Sequence, residues 1–263
     1  MAGDPREEAL RLAWRLCALP EAAMRSAILA ETFRDRPAAD VVALLHELVG
    51  GARTRPGLPF SEAVTALAAA LDDSVVLGYE LRSALYAAAK QAGRDEIARL
   101  FFAAAAGPGD VPGEPEAERS LPRGAGGAKT LTLGERKSLA RGGRTHLLQH
   151  LMRDPDAQVI RILLGNPRLT ERDVVFIAAR RPVRGTVLKA VFASRWVARY
   201  HVRRALVMNP YTPSDLAVRL VPTLSIPDLR AVAGDPHLGD PVRAQAEALL
   251  AQSMAGRGGR GEG

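Results

Sequence analysis

Two stretches decide how this chain folds: RILLGNPRLTERDVV, Arg161 to Val175, and RRALVMNPYTPSDLA, Arg203 to Ala217. Each carries an apolar, helix-like run into an Asn-Pro pair, and the two pairs lie 43 residues apart. Proline disfavours helical geometry at the residue before it, so Asn166 and Asn209 are expected to end their helices. Thr170-x-x-Asp173 and Thr212-x-x-Asp215 follow, each with the form of a capping box that opens the next helix. The repeated phrase is punctuation between helical units.

A second alignment uses the dipeptides Ile160-Arg161, Val202-Arg203 and Val242-Arg243, spaced by 42 and 40 residues. It divides 131–252 into about three units of three helical segments. These fall near 134–141, 144–153 and 156–165; then 171–181, 184–194 and 198–208; then 213–222, 226–233 and 240–252. No single unit can bury its apolar stripe alone, whereas stacked copies share a continuous core.

DPDAQVIRILL from Asp154 and DPHLGDPVRAQAEALL from Asp235 resemble the second helix of HEAT-type repeats, and the three-helix count resembles armadillo units. The middle copy lacks the Asp-Pro, and the Asp-to-Arg spacing is 7 in one copy and 8 in another. The resemblance covers 131–252. It implies an α-solenoid in which Asp154, Asp235, Arg161, Arg203 and Arg243 tie neighbouring units together, with Asn166 and Asn209 as structural punctuation.

Working outward, 1–106 reads as a helical N-terminal domain of five or six helices with short connections. DPREEALRLAWRLCAL opens with an Asp cap and a proline at the first helical position, and places Leu10, Trp14 and Cys17 on one face. Residues 107–130 are rich in Gly and Pro and nearly free of large apolar side chains, the composition of a flexible linker. The tail 253–263 is expected to be disordered for the same reason. The fold class is all-α: an N-terminal bundle, then a HEAT/armadillo-like solenoid.

Composition agrees, with 47% apolar and only 5% aromatic residues. One cysteine, Cys17, rules out an intramolecular disulfide and fits a reducing cytoplasm. The N-terminal run carries early glutamates, unlike a secretory leader, and no charge-free stretch approaches the roughly 20 residues that span a bilayer. Residues 1–106 hold 12 basic and 14 acidic side chains, and 131–252 hold 19 and 10.

The strongest functional signal is an absence. Val174 to Ser214 contains no Asp or Glu across 41 residues, yet holds Arg180, Arg181, Arg184, Lys189, Arg195, Arg199, Arg203, Arg204 and His201. Helical spacing of Arg195, Arg199 and Arg203 predicts a basic stripe, and the whole set a basic ridge for an acidic protein or for phosphates. Trp196, Tyr200 and Tyr211 are interleaved, suited either to core anchoring or to stacking on bases.

Other motifs fail on chemistry. HLLQH spaces His146 and His150 as a helix spaces metal ligands, but Leu147 stands where a metalloprotease carries its glutamate, and no third ligand is evident. GAGGAKT, 124–130, lacks the GxxxxGK[ST] spacing of a phosphate loop. Cys17 is expected to be packed, and no serine sits in an elbow motif. The expectation is a non-enzymatic, cytoplasmic scaffold without catalytic residues, metal or other cofactor, and without membrane or small-molecule ligand. Its basic surface meets a protein partner; a nucleic acid is the second reading.

Overall fold

The computed structural model describes residues 4–54, 58–102, 131–142 and 145–258. Among them are fifteen α-helices, two short 3-10 segments and no strand. No described helix is long and apolar enough to cross a membrane. The expected linker, 107–130, lies outside the described residues.

The chain divides into two compact units. The first comprises 1–107 together with 214–263, and the second is 108–213. This corrects the expectation that 131–252 folds as one domain of three stacked copies: the third expected module belongs with the N-terminal helices.

In the first unit, α1 (Pro5–Cys17), α2 (Ala22–Arg34), α3 (Ala38–Thr54), α4 (Leu58–Asp72), α5 (Tyr79–Gln91) and α6 (Asp95–Phe101) precede the break. Asp4 caps α1, accepting from the Arg6 amide at 3.0 Å, and Pro5 fills the first turn where no amide is needed. Its buried face is Ala9, Leu12, Ala13 and Leu16, at helical spacing. The expected face was wrong in phase. Leu10 and Trp14 point outward, Trp14 with 60% exposure, and Cys17 is half-buried. Two alanines let α1 approach α3 and α4 more closely than a tryptophan would. α3 buries Val41, Val42, Leu44, Leu45, Leu48 and Val49, nearly all round its axis, as a helix with neighbours on several sides must. Each such leucine contributes about 1.5–3 kcal/mol by leaving water. Arg25 of α2 pairs with Glu62 of α4 at 2.6 Å, both largely buried.

The same core takes in α13 (Ser214–Leu220), the 3-10 segment Val221–Thr223, α14 (Ile226–Gly234) and α15 (Asp240–Gly258). Leu216 to Leu220 are all buried, so α13 requires partners on more than one side, and α4, α6 and α15 supply them. Two long-range hydrogen bonds fasten this segment to α6. Arg219 Nε donates to the Leu100 carbonyl at 3.3 Å, and Gln245 Nε2 donates to the Glu96 carbonyl at 2.8 Å. Burial lowers the Arg219 pKa, opposed by the nearby Asp215 and Asp72 carboxylates. α15 continues to Gly258, past the expected end of order at residue 252, while 259–263 lie outside the described residues.

The second unit holds α7 (Leu133–Gly142), α8 (Thr145–Leu151), α9 (Ala157–Leu164), α10 (Glu171–Ala179), α11 (Gly185–Phe192), the 3-10 segment Arg195–Ala198 and α12 (Tyr200–Val207). α7 packs on α9, α10 on α12, and α9 on α11. The Asn-Pro phrase acquires a physical role here. Asn166, 4% exposed, donates from Nδ2 to the Ala140 and Arg141 carbonyls at 2.8 and 3.1 Å, and its Oδ1 accepts from the Arg168 amide at 2.9 Å. Asn209, 2% exposed, does the same with the Ala178 and Arg180 carbonyls at 2.7 and 2.9 Å and the Tyr211 amide at 3.0 Å. Each asparagine thus closes its own turn and caps the carbonyl end of a helix two elements earlier, groups that would otherwise be left unpaired.

The Ile/Val-Arg alignment does not survive. Arg161 is exposed. Arg203 is buried and donates to the Val197 and Ala198 carbonyls at 3.1 and 2.7 Å, and Arg243 is half-buried beside Asp240. The three do not occupy corresponding places. Counting back from each asparagine shows why: Arg161 stands opposite Arg204, and buried Arg203 stands opposite buried Ile160. The aspartates differ too. Asp154 is fully buried, gripped by Arg136 Nη1 at 2.6 and 2.7 Å and by the Asp156 amide at 2.9 Å. Asp235 accepts only a local bond, from the His237 amide at 2.9 Å. Of the two expected capping boxes, Thr170 with Asp173 forms one at the start of α10. Thr212 is buried and instead donates its hydroxyl to the Leu206 carbonyl at 2.6 Å.

Candidate interaction groove

The acid-free stretch does not form one ridge. Arg195 lies in the 3-10 segment with its guanidinium 5.1 Å from the Trp196 ring, Arg199 is in extended geometry at the cap of α12, and Arg203 is buried. The predicted helical stripe through these three is therefore broken, because the backbone leaves α-helical geometry between 195 and 199. Arg180 is half-buried and donates to the Met152 carbonyl at 3.0 Å. Arg184 is half-buried at the cap of α11, and Lys189 is exposed on its last turn.

Two members of the set, Arg181 and Arg204, come together with His201 in a groove of about 690 Å³ between α10 and α12. Arg172 and Glu171 also line it, and the floor is Val175, Ala179, Ala205 and Met208. Helical spacing explains the grouping: 172, 175 and 179 share one face of α10, and 201, 204, 205 and 208 share one face of α12. The two helices run side by side with their C-terminal ends tied. Asn209, just past α12, holds the last carbonyls of α10, and Arg181, just past α10, donates to the Met208 carbonyl at the end of α12. Their N-terminal ends, with the positive poles of the helix dipoles, meet near Arg172 and His201. Three arginines face one glutamate, so the rim attracts anionic groups while the floor is apolar.

Trp196, Tyr200 and Tyr211 do not line this groove. Trp196 is half-buried and donates from Nε1 to the Leu164 carbonyl at 2.9 Å, stitching the 3-10 segment to the end of α9. Tyr200 lies edge-on to His201, and the Tyr211 amide closes the Asn209 turn. Arg172, Glu171, Val175 and Met208 lay outside the expected ridge. The signal that finds them is the pairing of two short helices, each with a polar residue at one end of an i, i+3 or i+4, i+7 row.

Of the histidine pair on α8, His150 is exposed, and the side chain of His146 lies outside the described residues. Among the described residues no group of three or more His, Cys, Asp or Glu side chains is placed to hold a metal. The phosphate-loop-like 124–130 segment lies outside the described residues. Comparison of the chain with protein-family models, with curated proteins and with solved structures finds no match.

Proposed function

We propose that this chain is a non-enzymatic adaptor, acting in the cytoplasm, whose basic second unit binds an acidic protein surface. In this reading the modules α7–α9 and α10–α12 are a short HEAT/armadillo-like repeat, with the Asn-Pro turns as their shared fastening. The observation that carries the proposal is the α10/α12 groove, with arginines on the rim and an apolar floor. Charge supports it as well: 131–213 holds 16 basic and 5 acidic side chains, whereas 214–252 holds 3 and 5. Basic charge is concentrated in one unit rather than spread for solubility.

The test is capture from nuclease-treated native lysate by wild type and by an Arg172→Glu/Arg204→Glu variant. Both arginines are exposed, and circular dichroism of the variant checks that the exchange leaves the fold intact. The expected outcome is a protein set retained by wild type and lost with the variant. Capture indifferent to the groove charges overturns the proposal.

A nucleic-acid reading draws on the exposed Lys189, Arg195 and Arg199, which lie outside the groove lining. It requires affinity to fall with salt at a slope of about −0.9 per phosphate neutralised in a duplex. Against it, an apolar floor offers phosphates nothing.

A further inference from the structure

We infer that the α10/α12 groove receives an acidic amphipathic α-helix from the partner protein. This deepens the adaptor reading and rests on it. The groove is lined by a pair of parallel rows, Arg172–Val175–Ala179 on α10 and His201–Ala205–Met208 on α12, with Arg204 beside the second row. Each row advances seven residues, about 10 Å at 1.5 Å per residue, or two helical turns. Two packed helices with parallel rows form a valley whose ridges recur at the helical pitch, and a third helix fills it with side chains at i, i+3 or i+4, and i+7. A strand would have no purchase. The backbone groups of α10 and α12 are spent within the helices, and their carbonyl ends are held by Asn209 and Arg181, so no edge remains to pair with.

Small floor residues fit the same occupant. Ala179 and Ala205 line the groove where larger side chains would narrow it, leaving room for leucine-sized anchors on the incoming helix. Charge selects its flanks. Arg172, Arg181 and Arg204 line the groove against the single Glu171, so glutamates or aspartates bordering the apolar stripe are attracted and lysines are repelled. A nucleic acid would place phosphates over the apolar Val175 and Met208, with no Trp, Tyr or Phe among the lining residues and His201 the single ring there. The contact is short, so the association is a weak one, governed by the three apolar anchors and steered by the rim.

The experiment uses two fluorescent peptides of about 16 residues, long enough to form a helix, with identical Leu, Glu, Ala and Gln content. One places leucines at i, i+3 and i+7 with glutamates flanking them, and the other alternates leucine and glutamate with a period of two. Anisotropy titrations use the full chain, its Arg172→Glu/Arg204→Glu variant, an Ala205→Trp variant that fills the floor, and Arg204→Lys as the conservative exchange. The helical peptide is expected to bind at least about tenfold tighter than its isomer. It loses that margin in the charge-reversed and floor-filled variants and largely keeps it in Arg204→Lys. Equal binding of the two peptides overturns the helical occupant, and so does failure of both to bind. In either case the adaptor reading stands if lysate capture still depends on Arg172 and Arg204, and falls only if that dependence is also missing.

Discussion

Asn209→Ala should uncouple α12 from α10, and the structure sets the size of the effect. The asparagine is almost wholly buried and makes three hydrogen bonds, two as donor to the ends of α10 and one as acceptor in its own turn. A neutral hydrogen bond nets about 1 kcal/mol, and a buried group stripped of its partner costs about 1–3 kcal/mol. Water can reach part of this turn, so the loss is set near the lower sum, about 3 kcal/mol. With a urea m-value of about 2 kcal/mol/M the midpoint falls by about 1.5 M.

The chain offers a clean reporter for this. Its two tryptophans fall one in each unit, Trp14 in the first and Trp196 in the second. In a Trp14→Phe background, which alters an exposed side chain, the fluorescence of Trp196 follows the second unit alone. Asn209→Asp is the informative companion. It keeps the acceptor for the Tyr211 amide but turns a carboxylate toward two carbonyl oxygens, so it should destabilise at least as much as alanine. Asn166→Ala, with the same three kinds of bond, should cost about the same. A loss under about 0.5 kcal/mol for both alanine variants would refute the claim that these asparagines fasten the modules.

Three further outcomes follow from other sites. Asp154→Ala strips the half-buried Arg136 of its fully buried carboxylate and should cost about 3 kcal/mol, the low end of the range because Arg136 still reaches water, read by the same Trp196 signal. Gln245→Leu removes the side-chain bond to the Glu96 carbonyl that ties α15 to α6; hydrogen exchange should then quicken together in α6 and in α13–α15 while α7–α12 stay unchanged. Exchange quickening in α7–α12 instead would contradict the division of the chain at 213. At Glu96, burial pushes the carboxyl pKa up, but hydrogen bonds from His46, the backbone and Gln252, with the His46 charge, outweigh it and hold the pKa below the ordinary value. A folded pKa below the unfolded one adds stability that is present above about pH 4.3 and is lost as the pH falls through the folded value. Calorimetry should therefore find wild type more stable than Glu96→Gln at neutral pH, with the gap closing in acid.

Much of the local structure was legible in the chain. Apart from the end of α15, helices in 131–252 begin and end close to the expected places, because Asn-Pro pairs, threonine and aspartate caps and proline positions act over one turn and need no distant partner. Charge marks the domain boundary too. The basic excess ends at residue 213, and 214–252 is slightly acidic, like 1–106. What the residues alone could not settle was which helix covers which. Three look-alike apolar stripes are equally ready to stack on one another or on any other core; α13 packs on α4, α6 and α15, which together cover Leu216 to Leu220 and leave Asp215 exposed. Likewise an arginine pair written between two apolar neighbours carries no mark of which member turns inward. Arg203 turned inward to two backbone carbonyls and Arg204 outward to the groove, a choice made by a 3-10 turn several residues earlier. Chain-local chemistry determined the helices and their ends, whereas burial, which depends on every neighbour at once, decided the partition into two units and the arginines left facing solvent.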